Sequence, residues 1–95
     1  MKLIKVVKSS NPKKKYDAIF EKDNGKEKKV SFGAAGFSDY TITNDDKKKA
    51  AYQKRHAKDL NTNDATRAGY LSMFLLWNKP TLEESIKDYK QKFSL

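Results

Sequence analysis

Two segments with alternating apolar and polar residues flank the short stretch Asp23-Asn24-Gly25, and this pattern predicts a β-hairpin. A two-residue turn at Asn24-Gly25 would put the apolar residues of the two strands on opposite faces. A three-residue loop with Gly25 in the left-handed conformation puts them on one face instead. The cross-strand pairs in that register are Ala18 with Val30 and Tyr16 with Phe32. We therefore predict the three-residue loop, which leaves Ile19 on the opposite face.

The segments on either side of the hairpin are also informative. Lys2 to Lys8 carries a run of aliphatic, mostly β-branched residues and predicts a further strand, which ends before Pro12 because proline cannot donate to a sheet ladder. After the hairpin, Gly33 and Gly36 bracket two alanines and predict a tight change of direction. A phosphate-binding loop would need a Lys-Ser or Lys-Thr pair after its last glycine, so we interpret this stretch as a structural turn.

Three helices are predicted in the C-terminal half. The first begins at the caps Asn44 to Asp46 and runs to about Asp59, the second runs from Ala65 to about Trp77, and the third follows a capping box at Thr81 to Glu84. The second is apolar nearly all round and should be buried, with Gly69 permitting close approach of a neighbour. The third carries a core-facing stripe formed by Leu82, Ile86, Tyr89 and Phe93.

Three strands followed by three helices predict an α+β fold, with a three-stranded antiparallel sheet from the N-terminal half packed against three helices from the C-terminal half. The 95 residues suffice for one such domain, so we assign residues 1–95 to a single small domain. No apolar run approaches the ~20 residues of a membrane span. The start, MKLIKVVKSS, is too short and too charged for a signal peptide, and we expect an intracellular or particle-enclosed protein.

Residues that could carry out catalysis or bind metal are scarce. The chain has no cysteine, which excludes disulfides and thiolate metal sites, and His56 is its only histidine. On a helical wheel His56 shares a face with Tyr52 and Leu60, which favours a hydrogen-bonded histidine at the edge of the core. No pairing of a nucleophile with a base stands out. We therefore expect no enzyme activity, no cofactor and no small-molecule substrate.

The net charge is the strongest compositional signal. The 21 Lys and Arg residues against 12 Asp and Glu give +9, and such a surface attracts polyanions such as nucleic acid or anionic lipid. The alternative is a lysine-rich surface that is merely kept soluble by self-repulsion. Lys47 to Lys49 stand at the start of a predicted helix, where the backbone dipole disfavours cations by roughly a few tenths of a kcal/mol.

The first predicted helix has an apolar side for the core, formed by Tyr52, His56 and Leu60, and a concentrated cationic side on the opposite arc. With about 100° per residue, three of its lysines fall within about 40° of one another, and two further cations lie beside them. A second basic group follows Pro12. We predict that these eight side chains contact phosphates: Lys47, Lys48, Lys54, Arg55 and Lys58 on the helix, and Lys13, Lys14 and Lys15 in the loop.

The outward face of the sheet is a poorer candidate for nucleic-acid binding. It carries mixed charges, with Asp17, Glu21 and Glu27 beside Lys15 and Lys29. It also lacks the aromatic pattern with which RNA-recognition sheets stack bases. Contacts with nucleic acid are therefore expected to run from lysine to phosphate and to be largely independent of base sequence.

Four stretches of the helical half resemble one family of small basic proteins encoded by giant, nucleocytoplasmic large DNA viruses. They are FGAAGFSDYT (32–41), the segment from Tyr52 to Arg55-His56, the step DATRAG (64–69) and LLWNKPTLEESIKDYKQKF (75–93). The resemblance covers roughly residues 16–93. It implies a viral protein of a family without an assigned activity, so it implies no catalytic or binding residues.

Two functions are compatible with these observations. The first is a virion-associated, non-enzymatic protein that binds nucleic acid, expected to be DNA, without sequence preference and takes part in genome packaging. It would be found in the virion and the host cytoplasm, with the nucleus as an alternative because PKKK and KKK…KR weakly resemble nuclear localisation signals. The second is a minor capsid, scaffold or host-interaction module that acts through protein contacts, most simply as a homodimer.

Overall fold

The computed structural model describes all 95 residues and has the predicted α+β fold. Its antiparallel sheet has the strand order β1-β2-β3. The strands are β1 (Lys2–Lys8), β2 (Lys14–Glu21) and β3 (Glu27–Ala34). The helices are α1 (Tyr40–Thr43), α2 (Asp46–Arg55), a 3₁₀ helix (Ala57–Thr62), α3 (Ala68–Leu71) with a π-helical continuation (Ser72–Leu76), and α4 (Leu82–Phe93).

The β2–β3 hairpin has the predicted register. Tyr16 lies opposite Phe32 and Ala18 opposite Val30. The amide of Lys22 donates to the carbonyl of Lys26 at 2.7 Å and closes a three-residue loop. Gly25 has a φ of 82°, the left-handed conformation that the bulged loop requires. The preference for a single apolar face therefore identified the correct one of the two registers.

The outer face of the sheet was predicted to carry mixed charges, but one of its charged residues is buried at the centre of the face. Asp17 points to this face, as predicted, yet it is buried. The hydroxyls of Ser9 and Ser31 donate to its Oδ1 at 2.7 and 2.6 Å, and the Nζ of Lys29 lies 3.9 Å from its Oδ2. The hydrogen bonds from Ser31 and Ser9 favour the charged form and lower the pKa of Asp17 below its ordinary value.

Helix α2 is shorter than predicted. It is capped by Asp45, whose side chain accepts from the amides of Lys47 and Lys48, but it ends at Arg55 rather than near Asp59. The chain continues in the tighter 3₁₀ helix because two contacts with the next helix hold it there. The hydroxyl of Tyr70 donates to the carbonyl of Leu60 at 2.7 Å. Gly69 lets Asp59 approach so closely that a Cβ at Gly69 would lie 2.9 Å from that of Asp59, which confirms the role predicted for this glycine.

Helix α3 begins at Ala68, three residues later than predicted. The side chain of Asp64 accepts from the amide and hydroxyl of Thr66 at 2.9 and 2.6 Å, so the preceding residues form a turn instead of the first helical turn. The π-helical continuation was not predicted either. The helix is nevertheless the buried one, as expected, since Tyr70, Leu71, Met73, Leu75 and Leu76 are all buried.

Helix α4 has the predicted cap and the predicted stripe. The hydroxyl of Thr81 accepts from the amide of Glu84 at 3.2 Å. Tyr89 belongs to the buried core, and Leu82, Ile86 and Phe93 pack against that core. The core consists of one cluster that joins the sheet to α3 and α4: Leu3, Ala18, Phe20, Phe32, Leu71, Leu75, Leu76 and Tyr89.

Helix α2 contributes no residue to this core, and none of its side chains is fully buried. The prediction that the first helix presents an apolar side to the core is therefore wrong. Its connection to the domain runs through Tyr52, which stacks on Trp77, and through Gln53, whose Nε2 donates to the carbonyl of Trp77 at 3.0 Å. The helix consequently lies at the periphery, with a cleft between it and the end of the sheet.

Candidate functional site

The five predicted phosphate contacts on the helical segment are all exposed: Lys47, Lys48, Lys54, Arg55 and Lys58. None of them forms an ion pair, because every ion pair in the protein involves other cations. Their charges are therefore not neutralised within the protein. This arrangement is what a surface for a polyanionic partner requires.

The three lysines at the start of α2 have different surroundings. Lys47 and Lys48 point into solvent, while Lys49 is half-buried with its Nζ 4.7 Å from the centre of the Tyr40 ring. The hydroxyl of Tyr40 in turn donates to Asp46 at 2.7 Å. Asp45 and Asp46 supply the negative charge that a helix N-terminus favours, which offsets the cost of placing lysines there.

Lys58 does not occupy its predicted place on the helical wheel. The α-helical geometry ends at His56, which has φ −108° and ψ 11°, and Lys58 lies on the 3₁₀ helix. The predicted arc of three lysines on α2 is therefore reduced to Lys47 and Lys54. These two lie about 10 Å apart along the helix axis and almost in line, because seven residues make nearly two turns.

The three lysines predicted for the loop after Pro12 fall into two groups, and Lys14 and Lys15 belong to β2 rather than to the loop. Lys13 and Lys14 are exposed, whereas the Lys15 side chain is only 14% exposed and its Nζ donates to the buried carboxylate of Asp39. The same carboxylate accepts from the amide of Thr41 at 2.9 Å and so begins α1. Because its charge is used in an internal ion pair, we remove Lys15 from the predicted set of free phosphate contacts.

A cleft of about 430 Å³ separates α2 from the end of the sheet. One wall comes from the segment Gly33–Asp39, and the other comes from Lys48, Tyr52, Arg55 and His56. The floor consists of Leu76, Trp77 and Ser72, and thus includes residues of the π-helical segment. Such segments are rare and are often found at functional sites. Gly33 has a φ of 78°, and a Cβ there would lie 2.8 Å from the side chain of Leu76, so a larger residue would disturb both strand and floor.

The cleft brings together aromatic rings that are distant in the sequence. Tyr52 stacks on Trp77, with centroids 4.5 Å apart and planes at 8°, and on His56, with centroids 4.3 Å apart. The Nδ1 of His56 lies 3.2 Å from Asp59, which confirms the prediction of a packed, hydrogen-bonded histidine. Burial raises the pKa of Tyr52, so this side chain stays neutral at physiological pH. Phe37 lines the cleft as well and is 71% exposed.

Sequence reasoning missed this cleft. Phe37, Tyr52 and Trp77 lie in three different segments, and no periodicity connects them. The one available signal was a phenylalanine in a Gly-Ser loop, between Gly36 and Ser38, where no apolar pattern predicts burial.

A second, shallower cleft of about 390 Å³ shares Lys15 and Asp39 with the first. It is lined by the exposed residues Lys8 at the end of β1, Lys14 at the start of β2 and Ile42 of α1, among others. The two clefts therefore meet at the Lys15–Asp39 ion pair. Unneutralised cations lie on both sides of it, Lys8 and Lys14 on the sheet side and Lys48 and Arg55 on α2.

No group of three or more histidine, aspartate or glutamate side chains lies close enough together to hold a metal ion. None of the helices has both the length and the apolar character needed to cross a bilayer.

Comparison with known proteins yields a family but no function. The family model "Family of unknown function (DUF5754)" matches residues 4–56, which is more than half of the chain and includes most of β1 and the whole of β2, β3 and α2. No curated protein and no solved structure matches the chain.

Proposed function

Because this chain belongs to DUF5754, a family of unknown function, we propose its function from its own surface: it binds nucleic acid, and specifically DNA, through the backbone phosphates and without reading the base sequence. One observation carries the proposal. The five cations of the helical segment, Lys47 to Lys58, are exposed and free of ion pairs on a chain of net charge +9.

The geometry suits a phosphate backbone. Helix α2 is about 15 Å long, a length over which duplex DNA carries roughly nine phosphate charges. Lys47 with Lys54 and Lys48 with Arg55 form two rows separated by about 100° around the helix. A helix at the periphery of the domain can approach a groove or a single strand without interference from the sheet. The exposed Lys13 and Lys14 supply additional charge where the loop after Pro12 meets β2.

The salt dependence of binding tests this proposal. If all five cations contact phosphates, the logarithm of the association constant for duplex DNA falls with the logarithm of salt concentration with a slope of about −4.5. Affinity then drops about 500-fold between about 50 and 200 mM salt. Replacing the five residues by glutamine is expected to remove most of this slope, as measured by fluorescence anisotropy with a labelled duplex.

A control variant with the same change in net charge distinguishes binding through the helical segment from attraction by the net charge of the whole protein. It replaces five exposed lysines elsewhere by glutamine: Lys2, Lys5, Lys22, Lys87 and Lys90. We expect its slope to stay within about one unit of the wild-type slope. Equal losses in both variants, or no binding by the wild type near 50 mM salt, would contradict the proposal.

A second candidate function is a structural module that forms a homodimer through the outer face of the sheet. Val7 is 39% exposed on this face next to the half-buried Ile19, and Ile4 at the neighbouring bulge is 43% exposed. The face has a cationic row, Lys5 and Lys29, and a row of mixed charge, Lys2, Glu21 and Glu27, so two copies related by a two-fold axis could bring carboxylates of one copy near lysines of the other. Light scattering is expected to show a dimer that Val7→Ser weakens, and a monomer at all concentrations would exclude this candidate.

The resemblance to proteins of giant DNA viruses implies that either candidate function would be carried out in a virus particle. A nucleic-acid-binding protein would be carried with the genome and would meet it in the host cytoplasm or nucleus, whereas a structural module would belong to the shell. Separating purified particles into core and shell distinguishes them. We expect the protein in the core fraction, and its recovery with shell proteins would favour the structural module.

A further inference from the structure

The cleft between α2 and the end of the sheet has the features of a site for an unpaired nucleobase and its phosphate. We propose that the protein binds single-stranded nucleic acid in preference to duplex, with a base held at Phe37 and the Tyr52-centred ring stack. This inference rests on the proposed function and adds to it the form of the nucleic acid and the side chains that contact the bases.

One wall of the cleft carries an exposed aromatic side chain, Phe37. It is the most exposed of the large apolar side chains, at 71%, and it lies at a cleft rather than on an open surface. Its backbone follows Gly36, whose φ of 86° turns the chain at this point. An exposed phenyl ring at the edge of a cleft offers a planar apolar face to a second planar group. Bases stack on such rings irrespective of their identity, because every base has a π-face.

The opposite wall and the floor of the cleft supply three more rings. The rings of His56, Tyr52 and Trp77 form a continuous stack, with centroid separations of 4.3 and 4.5 Å. Tyr52 in the middle is held on both sides, so the array is preorganised and loses little entropy when a ligand binds. The cleft volume, about 430 Å³, lies within the usual range for sites that bind small planar ligands.

The charge of the cleft is complementary to a phosphate. Three cationic side chains, Lys15, Lys48 and Arg55, and one carboxylate, Asp39, line it. Lys15 is paired with Asp39, and the two unpaired cations both lie on α2. Phosphates are therefore attracted to the α2 wall while the base is directed toward the rings. An apolar peptide would gain nothing from those cations, whereas a nucleotide satisfies both sets of contacts.

A duplex cannot use this cleft without cost. Its bases are paired and stacked inside the helix, and extruding one requires a few kcal/mol. A single strand presents its bases freely, and proteins that bind such strands combine a cationic groove with aromatic side chains. The cations of α2 are therefore expected to attract both forms, and the rings are expected to discriminate between them.

The decisive comparison uses two single strands with the same phosphates. One is an oligothymidylate of about 15 nucleotides, and the other is an abasic strand of equal length. We expect the oligothymidylate to bind about 5- to 150-fold more tightly and Phe37→Ala to remove most of that difference. Ile42→Ala serves as the matched control, since Ile42 is 66% exposed but lines only the neighbouring cleft.

Trp77 provides an independent readout because it is the only tryptophan of the chain and lies in the cleft. Its fluorescence is expected to be quenched by the oligothymidylate and unchanged by the abasic strand. Equal affinities for the two strands would overturn the base-binding site and leave the phosphate-binding function intact. Binding of the duplex but of neither single strand would overturn the preference for single strands. Binding of none of the three near 50 mM salt would show that the proposed function itself has failed. A free nucleoside monophosphate that binds as tightly as the oligothymidylate would also overturn the preference for a strand.

Discussion

Replacing Asp39 by alanine is expected to lower the free energy of unfolding by about 3 kcal/mol. Its carboxylate is 3% exposed and accepts from the Nζ of Lys15, from the amide of Thr41 and from the hydroxyl of Thr41. Alanine would leave the ammonium of Lys15, itself only 14% exposed, without a counter-charge, and would remove the cap of α1. Chemical denaturation monitored by the fluorescence of Trp77 measures the change.

Two further variants test the cause of that loss. Adding Lys15→Met to Asp39→Ala removes the unpaired charge, so the double variant is expected to be more stable than Asp39→Ala alone. Asp45→Ala removes a cap of α2 that has no ion pair and should cost only about 1 kcal/mol. If Asp39→Ala cost no more than Asp45→Ala, the Lys15–Asp39 pair would contribute nothing measurable to stability.

Replacing Tyr89 by alanine is expected to cost about 4 kcal/mol, a large part of the roughly 5–15 kcal/mol that stabilise a domain of this kind. Tyr89 is fully buried, and its ring packs against Phe93 and Phe74 with centroids 4.9 and 6.2 Å away. Its hydroxyl donates to the carbonyl of Ala65. The midpoint of thermal unfolding should fall by about 15–30 °C, as followed by circular dichroism.

The variant Tyr89→Phe distinguishes the contribution of the ring to stability from that of the hydroxyl. This variant keeps the aromatic contacts but leaves the Ala65 carbonyl without its donor, at an expected cost of about 1–2 kcal/mol. The difference between the two variants then measures what the buried ring contributes. Similar losses for alanine and phenylalanine would mean that packing among these rings adds little to stability.

The best sequence predictions concerned short stretches in which local chemistry and burial agree. The register of the hairpin followed from the requirement for one apolar face, and Gly25 is left-handed as that register demands. In α4 the cap at Thr81 and the stripe ending at Phe93 indicated the same helix, and both are present. In each case all the required information lay within about 20 consecutive residues.

The poorer predictions concerned segments whose conformation depends on distant partners. Helix α2 ends at Arg55 and not near Asp59, since Tyr70 and Gly69 of the next helix hold the following residues in a 3₁₀ turn. Lys15 resembles its neighbours Lys13 and Lys14 in sequence, but it is paired with a carboxylate 24 residues away. Helical-wheel reasoning has no access to contacts of this kind.

The sequence by itself determined the α+β class, the register of the β2–β3 hairpin, the buried helix and the positive charge, because alternation, periodicity and composition are local or additive properties. Only the tertiary structure decided which of the cations are free and that Phe37, Tyr52, His56 and Trp77 line a single cleft. The physical reason is that a site made from separate segments exists only after the core has folded and fixed the distances between them.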